Sequence, residues 1–268
     1  MIRKEISQSA LTLKGVGFSY PQINALAGID LTVPAGSYLG IVGSNGSGKT
    51  TLAFLISGIY QPSTGTIDKH GFRVGLVLSN PANQIVSLVV EEDIAFGPEN
   101  MGLPGHEIRS RIESSLAAIH SEHLRNSLIS TLSGGQLAKV AYAGQLALDV
   151  DILVLDEGTV MLDPLSRQTL LKTIRELNRD LGKTVIHISH RLEDLVSADE
   201  VLVLEDGAIT SRSSGVFSLV DKCELGVING IEAGPNLLYR SFLRKLGIDD
   251  TDLEKATMVL AECKMASH

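Results

Sequence analysis

An apolar run, Tyr38–Val42, leads straight into Gly43, Ser44, Asn45, Gly46, Ser47, Gly48, Lys49 and Thr50. A helix-forming segment follows from Lys49 to Ile59, with Gly58 closing it. Strand, glycine loop and helix in that order leave few folds open. The loop must sit at one edge of a sheet and the helix must cover one of its faces. Glycines at these positions let backbone N–H groups turn inward, a geometry that cradles phosphate oxygens. The helix adds its positive N-terminal end. Lys49 is spaced to reach the β- and γ-phosphates of a nucleotide, and the Thr50 hydroxyl to ligate Mg²⁺. Thr51 completes the candidate nucleotide-contacting set.

The rest of the chain continues this alternation. Leu11–Leu13 and Ile29–Val33 alternate apolar with polar residues, so residues 11–40 read as β-rich. Arg73–Leu78, Asp151–Leu155 and Thr184–Ile188 read as strands, and Val201–Leu204 with Gly207 as a hairpin. Ile108, Ile112, Leu116 and Ile119 share one face of a helix expected over 105–120. Further helices are expected over Ala138–Leu148 and Ser166–Leu181. The alternation predicts an α/β fold with a mostly parallel sheet covered on both faces. From about residue 220 the pattern changes to two short helical stretches, one starting at Pro235 and one over 252–262.

Other polar residues collect around the same sheet edge. Asp156 and Glu157 end an apolar strand, where ligands of open α/β sheets bind. Asp156 is placed to hold Mg²⁺ directly or through water, and Glu157 to orient and deprotonate an attacking water. His190 follows another buried strand and arrives at the same edge. A neutral imidazole there can hydrogen-bond a γ-phosphate or the water. His187 lies inside that strand and reads as a structural histidine. Tyr20 can offer its ring face to a base, although a core aromatic suits the position nearly as well. Leu132, Ser133, Gly134, Gly135 and Gln136 lie between the glycine loop and the acid pair. Three phosphate-handling segments in this order describe an ATPase whose site is completed by a second subunit.

Composition narrows the class further. A formal net charge of −8 argues against a binder of nucleic-acid backbone, which needs a basic surface. Cys223 and Cys263 have no metal-ligand spacing and read as free thiols in a reducing compartment. The N-terminus has no apolar core of a secretory signal, and no run is long enough to span a bilayer. The expectation is a soluble protein that reaches a membrane only through a partner.

Together these segments resemble the ATP-binding cassette (ABC) family over roughly residues 11–220. Lys49 to Asp156 spans 107 positions and Ser133 to Asp156 spans 23, both typical of that family. The resemblance implies a P-loop NTPase with an antiparallel β N-terminal subdomain, a helical subdomain carrying the signature, and a small helical C-terminal appendage used in dimerisation. It places the ATP-binding domain at 1–219 and the appendage at 220–268. It implies a head-to-tail dimer, homo- or heteromeric, in which Ser133, Gly134, Gly135 and Gln136 of one subunit cap the γ-phosphate on the glycine loop of the other. Tyr20 becomes the adenine-stacking aromatic, Asp163 an acid at the dimer seam, and His190 the switch histidine. ATP and Mg²⁺ are the implied cofactors.

A narrower match rests on Asn80 to Val86, Val90 to Pro104 and Asp156 to Pro164. These are similar to the ATPases of energy-coupling factor (ECF) transporters, which import vitamins or transition-metal ions. The implied partners are a transmembrane coupling protein, docking around residues 79–104, and a substrate-capture membrane protein. The implied location is the cytoplasmic face of the membrane. Three places depart from the pattern, one being Leu137, Ala138 and Lys139 after the signature, less basic than the family's usual run. Ser79 stands where the family has Gln, which normally reaches the Mg²⁺ shell; a slower or differently coupled site is expected. Gly158 stands where the wider family has Pro, and a looser turn after Glu157 is expected. The rival readings are an ABC-type ATPase outside transport, such as an iron–sulfur assembly factor, and a regulatory nucleotide-binding subunit.

Overall fold

Continuous apolar strands need cover on both faces, and the fold supplies it. The computed structural model describes residues 8–159, 162–222, 227–228 and 231–232. A six-stranded sheet runs in the order β5 (Val74–Val77), β6 (Ile152–Asp156), β7 (Thr184–Ile188), β3 (Tyr38–Val42), β8 (Glu200–Glu205) and β9 (Ala208–Ser213). Its pairings are parallel except the β8–β9 hairpin. Side chains alternate between two cores as strand geometry requires. Leu153, Leu155, Val185, Val201 and Val203 face one core, and Ile152, Val154, Ile186, Leu202 and Leu204 the other.

The second core is closed by helix α1 (Lys49–Ser57) and an antiparallel three-stranded sheet. That sheet has the order β2 (Ile23–Pro34), β1 (Ser9–Tyr20), β4 (Thr64–Asp68). The long β1–β2 hairpin sends Leu11, Leu13, Leu26, Ile29 and Leu31 inward. The first core is closed by α2 (Val90–Asn100), α3 (Gly105–Ala118), α4 (Gly134–Ala147), α5 (Pro164–Arg179) and α6 (Gly215–Lys222). In α5, Leu170, Ile174 and Leu177 make one buried stripe. Each contributes about 1.5–3 kcal/mol relative to an exposed side chain.

Most expected elements form within one to three residues of their expected bounds. Three differences have physical causes. Helix α4 starts at Gly134 rather than Ala138, because Ser133 and Gln136 build a capping box at its N-terminus. Helix α2 was not among the expected elements. In the structure Pro98 lies in its last turn, and a Cβ on Gly97 would come within 2.6 Å of Leu148 at the end of α4. The glycine is there to let two helices approach. Strand β4 also escaped notice, being short and paired only with β1.

Helix α6 crosses the expected boundary at 219/220, and Val216, Leu219 and Val220 are part of the first core. A cut there would fall inside a packed helix. Residues 227–228 and 231–232 pair as a short antiparallel ladder. The expected helices from Pro235 and over 252–262, both cysteines and the first seven residues lie outside the described residues. Among the described residues, no helix is long and apolar enough to cross a membrane.

Candidate active site

Strands β6, β7 and β3 are adjacent and parallel, so their carboxyl ends open on one edge. Val42 leads there into the glycine loop, Asp156 ends β6, and Ile188 hands over to Ser189 and His190. A cleft of about 610 Å³ lies at this edge. Its walls include Asn45, Gly46, Gly48, Lys49, Thr50, Thr51, Ser79, Asp156, Glu157 and Tyr20. The fold brings these residues together from four separate stretches of the chain.

The loop is shaped by close approaches. A Cβ on Gly43 would meet the carbonyl oxygen of Leu204 at 2.2 Å, so no larger residue fits beside β8. Gly48 sits at φ 100° and caps α1 with no side-chain bond; α1 has no acid in its first turn. Its first N–H groups therefore have neither a capping side chain nor a neutralising charge, and they leave a positive end at the cleft. Lys49 is buried to 6 % exposure and donates to the carbonyls of Gly43 at 2.9 Å and Ser44 at 2.7 Å. Burial lowers its pKa, and Glu157 and Asp156 act the other way. The Ser47 hydroxyl is buried without a partner.

Asp156 is 3 % exposed, and Oδ1 has no hydrogen-bond partner. Burial raises its pKa, while the Thr50 hydroxyl beside it works to lower it. Glu157 adopts φ 53°, in the left-handed region that non-glycine residues avoid. Its N–H is held by the Ile188 carbonyl at 3.0 Å. Its Oε1 stands 3.7 Å from His190 Nδ1, and His190 itself is not among the residues lining the cleft.

Tyr20, 39 % exposed, ends β1 at the cleft mouth. Its hydroxyl lies 3.3 Å from the Thr51 hydroxyl, and its ring meets Phe18 edge-on at 5.1 Å. His187 is fully buried; its Nδ1 lies 2.8 Å from the Tyr38 hydroxyl, and burial takes its pKa down to about 4. The structural reading of His187 stands. Gly158 is buried, and a Cβ there would come within 3.1 Å of the Tyr142 hydroxyl. The space expected to loosen the turn is filled by that tyrosine.

Ser133, Gly134, Gly135 and Gln136 are not among the cleft's lining residues. They form the start of α4, with Ser133 and Gly134 exposed. A Cβ on Gly135 would come within 2.7 Å of the Ser166 hydroxyl, which sets the spacing to α5. Asp163 caps α5, accepting from the N–H groups of Leu165 and Ser166 at 3.1 and 3.0 Å. Beside it Leu165 is 74 % exposed.

Five further lining residues, Ile23, Asn24, Ala25, Asp206 and Gly207, carried no signal for the site, although Gly207 marked a hairpin. They come from the start of β2 and from the β8–β9 turn. The N–H of Gly207 donates to the Ser47 carbonyl at 3.1 Å, so this turn buttresses the glycine loop. Only the fold brings Ser47 and Gly207 together.

Comparison with known proteins agrees with this geometry. A family model described as ABC transporter matches residues 26–160. The energy-coupling factor transporter ATP-binding protein EcfA1 of Symbiobacterium thermophilum is 43% identical over 236 residues, covering 79% of this chain and 82% of that protein. The solved structure of CbiO1 from Clostridium perfringens, described as part of the ABC transporter complex CbiONQ, aligns with a TM-score of 0.74 at 31% identity. It covers 81% of this chain and 92% of that one. A bacterial ABC transporter cassette solved as a dimer aligns with a TM-score of 0.67 at 26% identity, over 76% of this chain and 98% of that one.

Proposed function

The chain belongs to the ABC transporter family of ATP-binding proteins, and on that premise we propose that it is the ATP-hydrolysing subunit of an energy-coupling factor importer. It energises uptake of a vitamin or transition-metal ion through a membrane coupling protein. One observation carries the reading: the uncapped, acid-free N-terminus of α1 opens on the cleft where Asp156 and Glu157 meet it. An anion with a metal ion and an attacking water is the ligand that such a site suits.

The phosphates lie on the loop of residues 43–51, with Lys49 turning from the Gly43 and Ser44 carbonyls to the β- and γ-phosphates. The adenine stacks on Tyr20. Thr50 and Asp156 would hold Mg²⁺; a hydroxyl and an unpartnered buried carboxylate oxygen form the hard-oxygen set that ion prefers. Bound there, Mg²⁺ would supply charge neutralisation at the phosphate oxygens. Glu157 takes the proton from the attacking water, and His190 orients the water or the γ-phosphate. Ser133, Gly134, Gly135 and Gln136 of a second ATPase subunit close the site, with Asp163 at the seam. The exposure of Ser133 and Gly134 at the start of α4 suits that contact.

The coupling protein's cytoplasmic helices dock around residues 79–104, where Ala95 and Phe96 with Glu91, Glu92 and Glu99 line a groove beside α3. The chain then works as a peripheral protein on the cytoplasmic membrane face. The test is Glu157→Gln in the assembled transporter. ATP binding is expected to persist while turnover drops roughly 10²–10⁴-fold, the span for loss of a general base. Unchanged turnover would remove the assignment.

Ser79 favours a second reading, a regulatory subunit with little turnover of its own, because its short side chain lines the cleft where the family has Gln. Inactivating each of the two ATPase subunits in turn separates the readings. Turnover that survives loss of Glu157 here and vanishes with the partner's base indicates the regulatory role.

A further inference from the structure

One buried carboxylate ties the segment after Glu157 to the segment around His190. Asp194, 3 % exposed, lies in a short 3₁₀ turn, Leu192–Leu195. Its Oδ2 accepts from the Thr159 hydroxyl at 2.6 Å and from the Ser189 hydroxyl at 3.2 Å. Both hydroxyl residues are fully buried. The Ser189 oxygen in turn accepts from the N–H of Arg191 at 3.0 Å, which leaves its own proton for Asp194. Thr159 follows Glu157 by two residues, and Ser189 and Arg191 flank His190 on either side.

We propose that Asp194 is a positioning residue for ATP hydrolysis: through Thr159 and Ser189 it fixes the backbones that present Glu157 and His190 to each other. The proposal rests on the reading of Glu157 as the general base. None of the three residues lines the cleft. Glu157 needs such support. A non-glycine residue at φ 53° persists only where its surroundings over-determine it. The Ile188 carbonyl anchors its N–H, and the Thr159 hydroxyl is the next side-chain anchor downstream.

Stability alone does not account for the carboxylate. Its Oδ1 is buried without a hydrogen-bond partner. A buried charge with an unsatisfied oxygen is a poor stabiliser compared with an apolar residue of similar size. What a carboxylate does supply is one oxygen that accepts two hydroxyls at once, with charge-assisted strength.

The experiment compares Asp194→Asn, Thr159→Val and Thr159→Ser with the parent chain in the assembled transporter. Asp194→Asn and Thr159→Val are expected to lower kcat by ~10²-fold, the scale of a small misplacement of a catalytic group. KM for ATP and ATP binding should stay within about twofold, since the phosphate loop is untouched. Thr159→Ser, which keeps the hydroxyl, is expected to retain parental kcat. In a Glu157→Gln background Asp194→Asn should cost nothing further, because residues acting as a unit are not additive. Parental kcat in both Asp194→Asn and Thr159→Val overturns the proposal. So does a loss that multiplies with that of Glu157→Gln. Should Asp194→Asn fail to fold, Thr159→Val carries the same comparison. Parental turnover in Glu157→Gln itself overturns the general-base reading, and the proposal with it.

Discussion

Gly158 and Tyr142 illustrate how one residue is chosen by another far along the chain. The Tyr142 hydroxyl is buried, lacks a hydrogen-bond partner, and takes the room a Cβ at 158 would need. Burial raises its pKa, with the Asp194 charge adding to the effect, so it stays a neutral phenol. Removing a buried unsatisfied hydroxyl while keeping the ring relieves a desolvation penalty of about 1–3 kcal/mol. Tyr142→Phe is therefore expected to leave the chain at least as stable in thermal unfolding. Gly158→Ala forces a contact and is expected to cost about 1–3 kcal/mol. The same substitution in a Tyr142→Phe background should cost less. Equal costs in the two backgrounds would show that the two residues do not compete for space.

Helix ends carry much of the site's organisation. Helix α1 is left uncapped at its N-terminus, which suits a phosphate binder. Helices α4 and α5 are capped by side chains, Ser133 and Asp163, that the sequence had marked only for a partner-facing role. Hydrogen bonds accepted from the Ser166 side chain and amide, and then from the Leu165 amide, hold the Asp163 carboxyl below the usual range. Ser133 thus combines a structural cap with an exposed position. Ser133→Ala is expected to destabilise the isolated chain by ~1 kcal/mol, read by denaturant unfolding. The loss reports the cap alone, since no second subunit is needed for it. A chain of unchanged stability would mean that Gln136 and water satisfy the freed N–H groups.

Across the whole molecule, the two cores make stability depend on pH through His187. It is buried against Tyr38 with its Nε2 unpartnered and its pKa taken down to about 4. In the unfolded chain the same imidazole titrates at about 6.5. Between those values the unfolded state binds the extra proton, so stability falls as pH drops through that window. Thermal midpoints measured from pH 7 to pH 4 should decline more steeply for the parent than for His187→Gln. Parallel declines would mean that other groups dominate acid unfolding. Asp156 works in the opposite sense: its raised pKa favours the protonated folded form and gives up stability as pH rises. The comparison between the two chains removes that contribution.

The sequence alone determined what depends on neighbours along the chain. The phosphate loop, the strand that feeds it, the acid pair after β6 and the face of α3 follow from side-chain period and glycine placement, which act over a few residues. The ABC resemblance was legible for the same reason, since its signatures are local strings. Tertiary structure decided what depends on distant approach. Gly97 sits within a helix because Leu148 packs against it, and Gly207 braces Ser47 across the sheet edge. Asp194 reaches Thr159 over 35 positions. Such pairs have no period and no spacing rule. They arise when packed layers bring separate segments within hydrogen-bond or van der Waals range, and only the folded chain fixes which segments those are.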